Sequence, residues 1–391
     1  MTAVIAGAKR TPIGKFGGGL ASVRAVDLGA TAIRAALGDL DPQQVDEVIF
    51  GQVLQAGEGQ ITARQAAVLA GLPMTVPSLT INKVCLSGLA AIGMANRSVL
   101  LGESKFVVAG GMESMSNAPY VMPKARWGAR LGDAELIDVM MHDGLYCSFD
   151  QCSMGSASDI KNDQLGIGRV EQDAWSARSH ERAEVASRTG IFTREIAPVA
   201  VTQRRGEPVT ISEDEGIRPG TTADSLAALR PAFGATGTLT AGNSSQISDG
   251  GAAVIVADRQ AADAEGLEVL AEIRSYAQVG GVDPSLHERP AEALALALKR
   301  SNLNAADLHA VEINEAFASV ALWSARMLEL PEDRVNVNGG AVALGHPIGA
   351  TGARLVVTLI NALKERGGGL GAVTLCGGGG QGDAMVLEVP A

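Results

Sequence analysis

One pattern occurs twice in this chain and constrains its fold more than any other feature. Ser87-Gly88 opens a segment of helical periodicity reaching Leu101. The apolar run Phe106 to Ala109 follows and ends in Gly110-Gly111. Thr351-Gly352 opens a second such segment, followed by the run Ala372 to Leu375, then Cys376 and the glycines from Gly377 to Gly380. Apolar runs of this length read as buried strands and the periodic segments as helices. A unit met twice suggests two related halves facing each other, although two independent α/β units would look similar.

The rest of the chain keeps this rhythm at both ends. Ala3 to Ala8, Val45 to Leu54 and Thr75 to Asn82 read as extended, and Val26 to Gly38 and Ala63 to Ala70 as helices. Later, Ala252 to Ala257, Ala310 to Ile313 and Val335 to Asn338 read as strands, and Ala291 to Lys299 and Ala316 to Leu328 as helices. Strands alternating with helices predict an α/β protein with a parallel sheet covered on both faces. Between them the texture changes. Residues 118–244 hold more Met, Trp and charge, one clear helix from Arg169 to Thr189, and a turn-rich stretch from Arg204 to Ala223. This region reads as an insertion carrying loops over a site. The predicted division is an N-terminal half of residues 1–117 plus about 245–267, the insertion 118–244, and a C-terminal half 268–391.

Composition narrows the function. A net charge of −11 argues against a nucleic-acid partner. Aromatic residues make up only 3% and glycines number 48, so the core must be aliphatic and many turns tight. Four cysteines, Cys85, Cys147, Cys152 and Cys376, are too few for a disulfide scaffold. With no CxxC pair they suggest no metal, and they fit a reducing cytoplasm. The longest uncharged runs, Gln65 to Asn82 and Val335 to Ala353, contain Pro, Gly or Asn, so no membrane span is predicted. Lys9, Arg10, Lys15 and Arg24 precede the first acid, Asp27, in the manner of a transit peptide. The strand at Ala3 to Ala8 leaves no room for a leader.

Four short motifs carry chemistry. In Asn82-Lys83-Val84-Cys85-Leu86-Ser87-Gly88 a cysteine stands at a strand-to-helix junction. The positive end of the helix dipole there lowers a thiol pKa and favours thiolate, although a small buried filler would suit the same place. In Gly345-His346-Pro347-Ile348-Gly349, glycine and proline hold an imidazole in a tight loop beside another helix start. Such a histidine can take a thiol proton or donate to an oxyanion, or simply bond to backbone. Cys376 and its glycine run expose several backbone N–H groups that can form an anion-binding concavity. Asn314-Glu315 ends a strand, where open α/β sheets place ligands. An asparagine capping the next helix reads equally well.

Taken together, NKVCLSG, TAGNSSQISDG, NEAFA, GGAVALGHPIGATGAR and CGGGGQGDA resemble the thiolase family in order and spacing, over essentially the whole chain. The resemblance implies the thiolase fold, two similar βαβ-based halves in a layered α-β-α-β-α core with an inserted loop domain. It implies an acetyl-CoA C-acetyltransferase that joins two acetyl-CoA into acetoacetyl-CoA and CoA, and runs the thiolysis in reverse. Cys85 looks like the acyl-carrying nucleophile, His346 its activator and Cys376 the base at the second acetyl-CoA. One oxyanion hole would use His346 with a water held by Asn314, the other the N–H groups of Cys85 and Gly378. For the CoA thioester, Arg218 would meet the adenine nucleotide and Ser245 the pantetheine, with Leu145, Met154, Ala241, Ala316 and Phe317 lining the channel. Beyond its CoA thioester substrates no cofactor is implied. The segment Pro123 to Gly144, with Lys124, Arg126 and Arg130, matches the loop that pairs thiolase dimers into tetramers. Ser153 stands where many biosynthetic members carry a His before the Met, so acyl-length preference is not settled by the resemblance.

Three other classes compete. A broader 3-ketoacyl-CoA thiolase would carry the same motifs. A ketoacyl synthase also uses a helix-start cysteine, but it obtains its carbanion by decarboxylation and needs no second cysteine. A nicotinamide oxidoreductase would show a GxGxxG opening an early βαβ unit, and none does.

Overall fold

A computed structural model describes residues 1–391. The first half contributes β1 (Ala3–Arg10), α1 (Ala25–Leu37), β2 (Glu47–Gly51), α2 (Thr62–Ala70), β3 (Ser78–Ile81), α3 (Ser87–Leu100) and β4 (Phe106–Ser114). After the insertion, with its helices α4 (Met154–Leu165) and α5 (Arg169–Arg188), β5 (Ser248–Asp258) completes that half. The second half runs β6 (Ala271–Gly280), α6 (Arg289–Ser301), β7 (Ala310–Ile313), α7 (Ala318–Met327), α8 (Thr351–Glu365), β8 (Gly369–Gly377) and β9 (Gln381–Val389). No helix is long and apolar enough to cross a membrane.

The strands lie in the order β7-β8-β9-β6-β1-β5-β4-β2-β3. The two halves join where β1 meets β6, at Val4↔Glu272 and Ile5↔Ala271. Each half has the same internal order, first strand at the join and second strand toward the outer edge. The counterpart of β3 in the second half is a single parallel bridge between Val335 and Val311. The strand expected at Val335 to Asn338 is therefore reduced to one residue. Asn336 there turns to a positive φ of 48° and spends its side chain on the backbone of Ile313 instead.

The expected parallel sheet is mixed. Only β2–β3, β2–β4 and β7–β8 are parallel. The β4–β5, β5–β1, β6–β9 and β8–β9 pairs are antiparallel. Parallel neighbours need a crossover, usually a helix. Here β8 returns to β9 through a tight glycine turn, and β4 reaches β5 through the insertion. Gly110 and Gly111 do not end β4 as read from sequence; the strand continues to Ser114. The glycines are needed because a β-carbon at 111 would lie 2.0 Å from the Gly349 carbonyl oxygen.

Burial sorts the helices into layers. α1 and α2 cover the outer face of the first half with Val26, Ile33 and Ala66 against Phe50, Phe106 and Val108. α6 and α7 do the same for the second half, with Leu294, Leu298 and Leu322 against Ile313, Ala372 and Val386. α3 and α8 lie between the halves. Leu89, Ile92, Leu355, Val356 and Leu359 share one core with strand residues of both. α8 is buried from Thr351 through Ile360, apolar there except for Thr351, Arg354 and Thr358, which bond to Pro347, Glu312 and Glu195.

The twice-used small-residue helix opening now has a reason. A β-carbon on Gly88 would lie 2.8 Å from the Ala353 nitrogen, and one on Gly352 would lie 2.4 Å from the Leu89 nitrogen. The first turns of α3 and α8 thus pack backbone against backbone, which only glycine allows. The insertion is anchored by Arg10 of β1, fully buried, whose guanidinium meets Glu195 at 2.7 Å and Asp214 at 2.7 Å.

Candidate active site

The turn into α3 is built to present Cys85. Asn82 Oδ1 accepts from the Val84 N–H at 2.9 Å, and Ser87 Oγ accepts from the Lys83 N–H at 2.8 Å while donating to the Val84 carbonyl at 2.6 Å. Val84 is held at φ 50°, a left-handed conformation that a β-branched residue adopts only under constraint. The helix expected from Cys85 begins at Ser87, so Cys85 sits just ahead of it on the bend. Its side chain is half-buried among Val53, Leu54, Leu145 and Ile348.

His346 follows the short helical turn Ala341–Leu344 and precedes α8. Its Nε2 lies 3.2 Å from Cys85 Sγ. Its Nδ1 lies 2.7 Å from Thr351 Oγ1, and that hydroxyl donates its one proton to the Pro347 carbonyl at 2.9 Å. The hydroxyl must then accept from Nδ1–H, which leaves the Nε2 lone pair facing the thiol. The His346 N–H is itself held by the Gln246 carbonyl at 3.0 Å. Burial, helped by Arg354, lowers the imidazole pKa to about 3, so the ring is neutral.

The thiolate expected at Cys85 is corrected by its surroundings. Burial pushes the thiol up to about 12, and the Glu113 carboxylate adds to this. The N–H groups of Cys85 itself and of Gly378 pull the other way. Desolvation outweighs the helix start, so the resting pair is thiol and neutral imidazole. The two N–H groups aimed at the sulfur surround a place where negative charge can form.

Cys376 belongs to β8 and is buried with Leu239, Leu286, Ala316, Phe317 and Val320. Burial raises its thiol strongly, and the nearby Cys85 sulfur adds to that. The two cysteine-bearing segments are tied by an ion pair. Lys83 Nζ meets the buried Asp383 at 2.7 Å, and Asp383 pairs with Leu375 across the β8–β9 ladder. The Tyr276 hydroxyl donates to the other Asp383 oxygen at 2.7 Å.

Asn314, at the end of β7, does not cap the next helix, which has Phe317 at its N-cap. Its Nδ2 lies 3.5 Å from His346 Nε2, and its Oδ1 is buried without a protein partner. Glu315 beside it is a fully engaged anchor. It accepts from Trp175 Nε1, Ser179 Oγ, Asn336 Nδ2 and the Val342 N–H.

Two family profiles match the chain, the thiolase N-terminal domain over residues 3–260 and the thiolase C-terminal domain over residues 267–389. The chain is a thiolase. A "probable acetyl-CoA acetyltransferase" of Mycolicibacterium smegmatis is 50% identical over 98% of this chain and 100% of its own length. An acetyl-CoA acetyltransferase of Chromobacterium violaceum is 48% identical over 100% of both chains. The crystal structure of the Bacillus anthracis acetyl-CoA acetyltransferase superposes with a TM-score of 0.96 at 41% identity, covering 99% of this chain and 98% of that one. Membership makes this thiolase an acyltransferase with the thiolase fold.

The remaining residues predicted for the site fall into two groups. Leu145 packs against the same apolar cluster as Cys85, while Ala316 and Phe317 share a cluster with Cys376 and Met154 packs against it. Ala316 and Phe317, read from sequence as the start of a helix, lie in the loop that precedes it. Ser245, half-buried, donates its N–H to the Ala316 carbonyl at 3.1 Å. Arg218 and Ala241 are exposed; the Arg218 N–H donates to His180 Nδ1 at 3.2 Å.

Two residues of this thiolase escaped the sequence reading. Thr351 sets the imidazole tautomer, but in the sequence it served only as a helix opener. Glu113 is buried, and burial raises its carboxyl to about 7. It accepts from the N–H groups of Gly349 at 2.9 Å, Val53 at 3.0 Å and Leu54 at 3.2 Å. It therefore ties the His346 loop to the wall beside Cys85. The available signal was an acid placed directly after the apolar run Phe106 to Met112, with no base beside it.

Proposed function

We propose that this thiolase is an acetyl-CoA C-acetyltransferase acting through an acetyl-Cys85 intermediate. The observation that carries the reading is the 3.2 Å approach of Cys85 Sγ to the unprotonated His346 Nε2, with a second thiol, Cys376, beside them. The names of these relatives support the acetyl-CoA specificity.

Cys85 Sγ attacks the thioester carbonyl of the first acetyl-CoA as its proton passes to His346 Nε2. CoA leaves as its thiol with the proton of Cys376, so acetyl-Cys85 and a Cys376 thiolate remain while His346 keeps the Cys85 proton on Nε2. The Cys376 thiolate then takes a proton from the methyl carbon of a second acetyl-CoA, and the enolate attacks acetyl-Cys85 to give acetoacetyl-CoA. The expelled Cys85 recovers its proton from His346. His346 and Asn314, with a water, would stabilise the enolate oxygen, and the N–H groups of Cys85 and Gly378 the tetrahedral one. Fixed donors of this kind commonly contribute about 2.7–4 kcal/mol each. With both thiols protonated at rest, each thiolate forms only within the cycle, Cys85 as it attacks the first thioester and Cys376 as CoA departs.

The CoA thioester would run past Leu145, Met154, Ala316 and Phe317, with Ser245 at the pantetheine and Arg218 and Ala241 farther out. Residues 118–244 would form the CoA-binding unit between an N-terminal half (1–117 and about 245–267) and a C-terminal half (268–391). The exposed Trp127 and Leu131, 79% and 98% accessible, support burial of the segment Pro123 to Gly144 in a homotetramer. The reading places the enzyme in the cytoplasm.

Acetoacetyl-CoA plus CoA and malonyl-CoA alone, offered in parallel, test the reaction class. Loss of the acetoacetyl-CoA enolate absorbance with CoA is the expected result. Turnover of malonyl-CoA alone would overturn it in favour of a decarboxylating synthase.

A further inference from the structure

The two cysteines that the chemistry leaves unused face each other. Tyr146–Cys147 and Cys152–Ser153 form a two-stranded antiparallel ladder in which Cys147 is directly opposite Cys152. The Met154 N–H donates to the Leu145 carbonyl at 2.9 Å, which sets the phase of the ladder. Cys147 and Cys152, two residues further in, then form a hydrogen-bonded pair. Such pairs hold their Cα atoms about 5.5 Å apart. A disulfide spans roughly 4.4–6.8 Å between Cα atoms, so no backbone movement is needed to bring the chain within range. We propose that Cys147 and Cys152 are a modification site that closes reversibly to an intramolecular disulfide, separate from the Cys85 and Cys376 chemistry.

The two thiols differ in access, which makes Cys152 the attacking and Cys147 the resolving sulfur, although burial and the nearby Asp150 push the Cys152 thiol up. Cys152 is half-exposed, while Cys147 is buried at 2% accessibility. The Asp150 N–H donates to Cys147 Sγ at 3.3 Å, and the thiol faces Asp150 Oδ2 at 3.5 Å. The carboxylate is placed to receive the thiol proton, and the N–H to stabilise the sulfur that remains. With a small-molecule disulfide as oxidant, Cys152 thiolate attacks one of its sulfurs, forms a mixed disulfide and expels one thiolate. Cys147 Sγ then attacks Cys152 Sγ and expels the second. The protein loses two electrons and two S–H protons; the small disulfide gains both and leaves as two thiols. Cys152 is half-exposed, so an external thiol can reach the bond, and exposed disulfides are the readily reduced, regulatory kind.

The position of the hairpin gives the bond a consequence. Its tip residue Phe149 rests against the glycine run, where a β-carbon on Gly379 would lie 3.2 Å from the ring. At its base, Leu145 packs against the apolar cluster that also holds Cys85, and Met154 against the cluster that holds Cys376. Cross-linking stiffens an element that touches both clusters.

The test uses the full-length protein held in an excess of oxidised glutathione, then quenched with an alkylating agent and mapped by mass spectrometry without reduction. The expected result is one peptide linked through Cys147 and Cys152, with Cys85 and Cys376 alkylated. This readout does not depend on the catalytic reading. In the thiolysis assay the oxidised protein should show about a threefold or greater rise in KM with kcat nearly unchanged. Dithiothreitol should reverse the rise, and Cys152→Ser should lack it. A Cys85–Cys376 linkage, a glutathione adduct that persists on Cys152, or alkylation of all the cysteines would overturn the site. A Cys147–Cys152 link with unchanged KM would overturn its effect on the cleft.

Discussion

His346 Nδ1 and the Thr351 hydroxyl lie 2.7 Å apart, and the hydroxyl is already committed to the Pro347 carbonyl. The tautomer of the His346 imidazole therefore depends on a single oxygen at the first residue of α8. Thr351→Val keeps the shape and removes that oxygen, which leaves a buried N–H without an acceptor. An orphaned buried donor costs about 1–3 kcal/mol. Carried into the transition state, that is a loss of roughly ten- to a hundredfold in kcat. Thr351→Ser should restore most of it. Steady-state thiolysis of the three proteins decides the matter, and a Val variant at full rate would mean the tautomer is set elsewhere.

Gly88 and Ala353 approach too closely for a side chain. A methyl group at 88 would press on a backbone nitrogen, not on a flexible side chain. Overpacking of this kind costs about 1–3 kcal/mol. Gly88→Ala should lower the urea midpoint accordingly and, by shifting the first turn of α3, slow acylation of Cys85. Gly234→Ala, where a β-carbon meets nothing within 4 Å, should change stability by less than about 0.5 kcal/mol. Equal midpoints for the two variants would remove the argument.

This contact also explains how much of the protein was legible in its sequence. Ser87-Gly88 and Thr351-Gly352 are local features, so the duplicated unit and the candidates Cys85, His346, Cys376 and Asn314 could be read directly. Strand direction was not legible, because the β8–β9 return and the long path from β4 to β5 depend on tertiary pairing. Nor was the protonation state of Cys85. The helix-start argument concerns a local dipole, whereas desolvation by Val53, Leu54 and Ile348 comes from segments distant in the chain. Glu113 and Thr351 were missed for the same reason. Their partners are backbone groups on other loops, and a pattern of side chains along one segment does not reveal them.

Glu113→Gln separates two effects of one buried carboxyl. The amide replaces one acceptor oxygen with a donor, so at least one N–H among Val53, Leu54 and Gly349 loses its partner. The expected destabilisation is about 1–3 kcal/mol. The substitution also removes a negative charge that raises the Cys85 pKa. At equal pH, alkylation of Cys85 by iodoacetamide should therefore be faster in the variant, provided the fold is intact by circular dichroism. Slower alkylation in a folded variant would show that positioning outweighs charge at this site.

Cys376→Ser should divide the reaction. In the proposed acetyl transfer to Cys85, Cys376 only protonates the departing CoA, and the proton on His346 Nε2 can replace that one, so radiolabelled acetyl-enzyme should still form in Cys376→Ser. Condensation should fall by roughly a hundredfold or more, in the range for loss of a general base. Cys85→Ser should abolish the label. Condensation at the normal rate in Cys376→Ser would remove Cys376 from the role of base.

His346 also leaves a mark on stability. Its imidazole is held neutral to about pH 3 by burial and by Arg354. In the unfolded chain it takes up a proton near pH 6.5. Between those values the unfolded state binds one more proton than the folded state, so stability must fall as pH falls. The slope is about 1.4 kcal/mol per pH unit. A His346→Asn variant lacks this site. Other buried groups, such as His180 and His287 held low and Glu312 held high, are common to both proteins. They cancel in the difference to the extent that they do not couple to residue 346. Urea unfolding at fixed protein concentration should therefore show the wild-type advantage shrinking by about 1.4 kcal/mol per unit from roughly pH 6 to pH 4. Parallel stability curves would mean that the folded protein accepts the proton at His346.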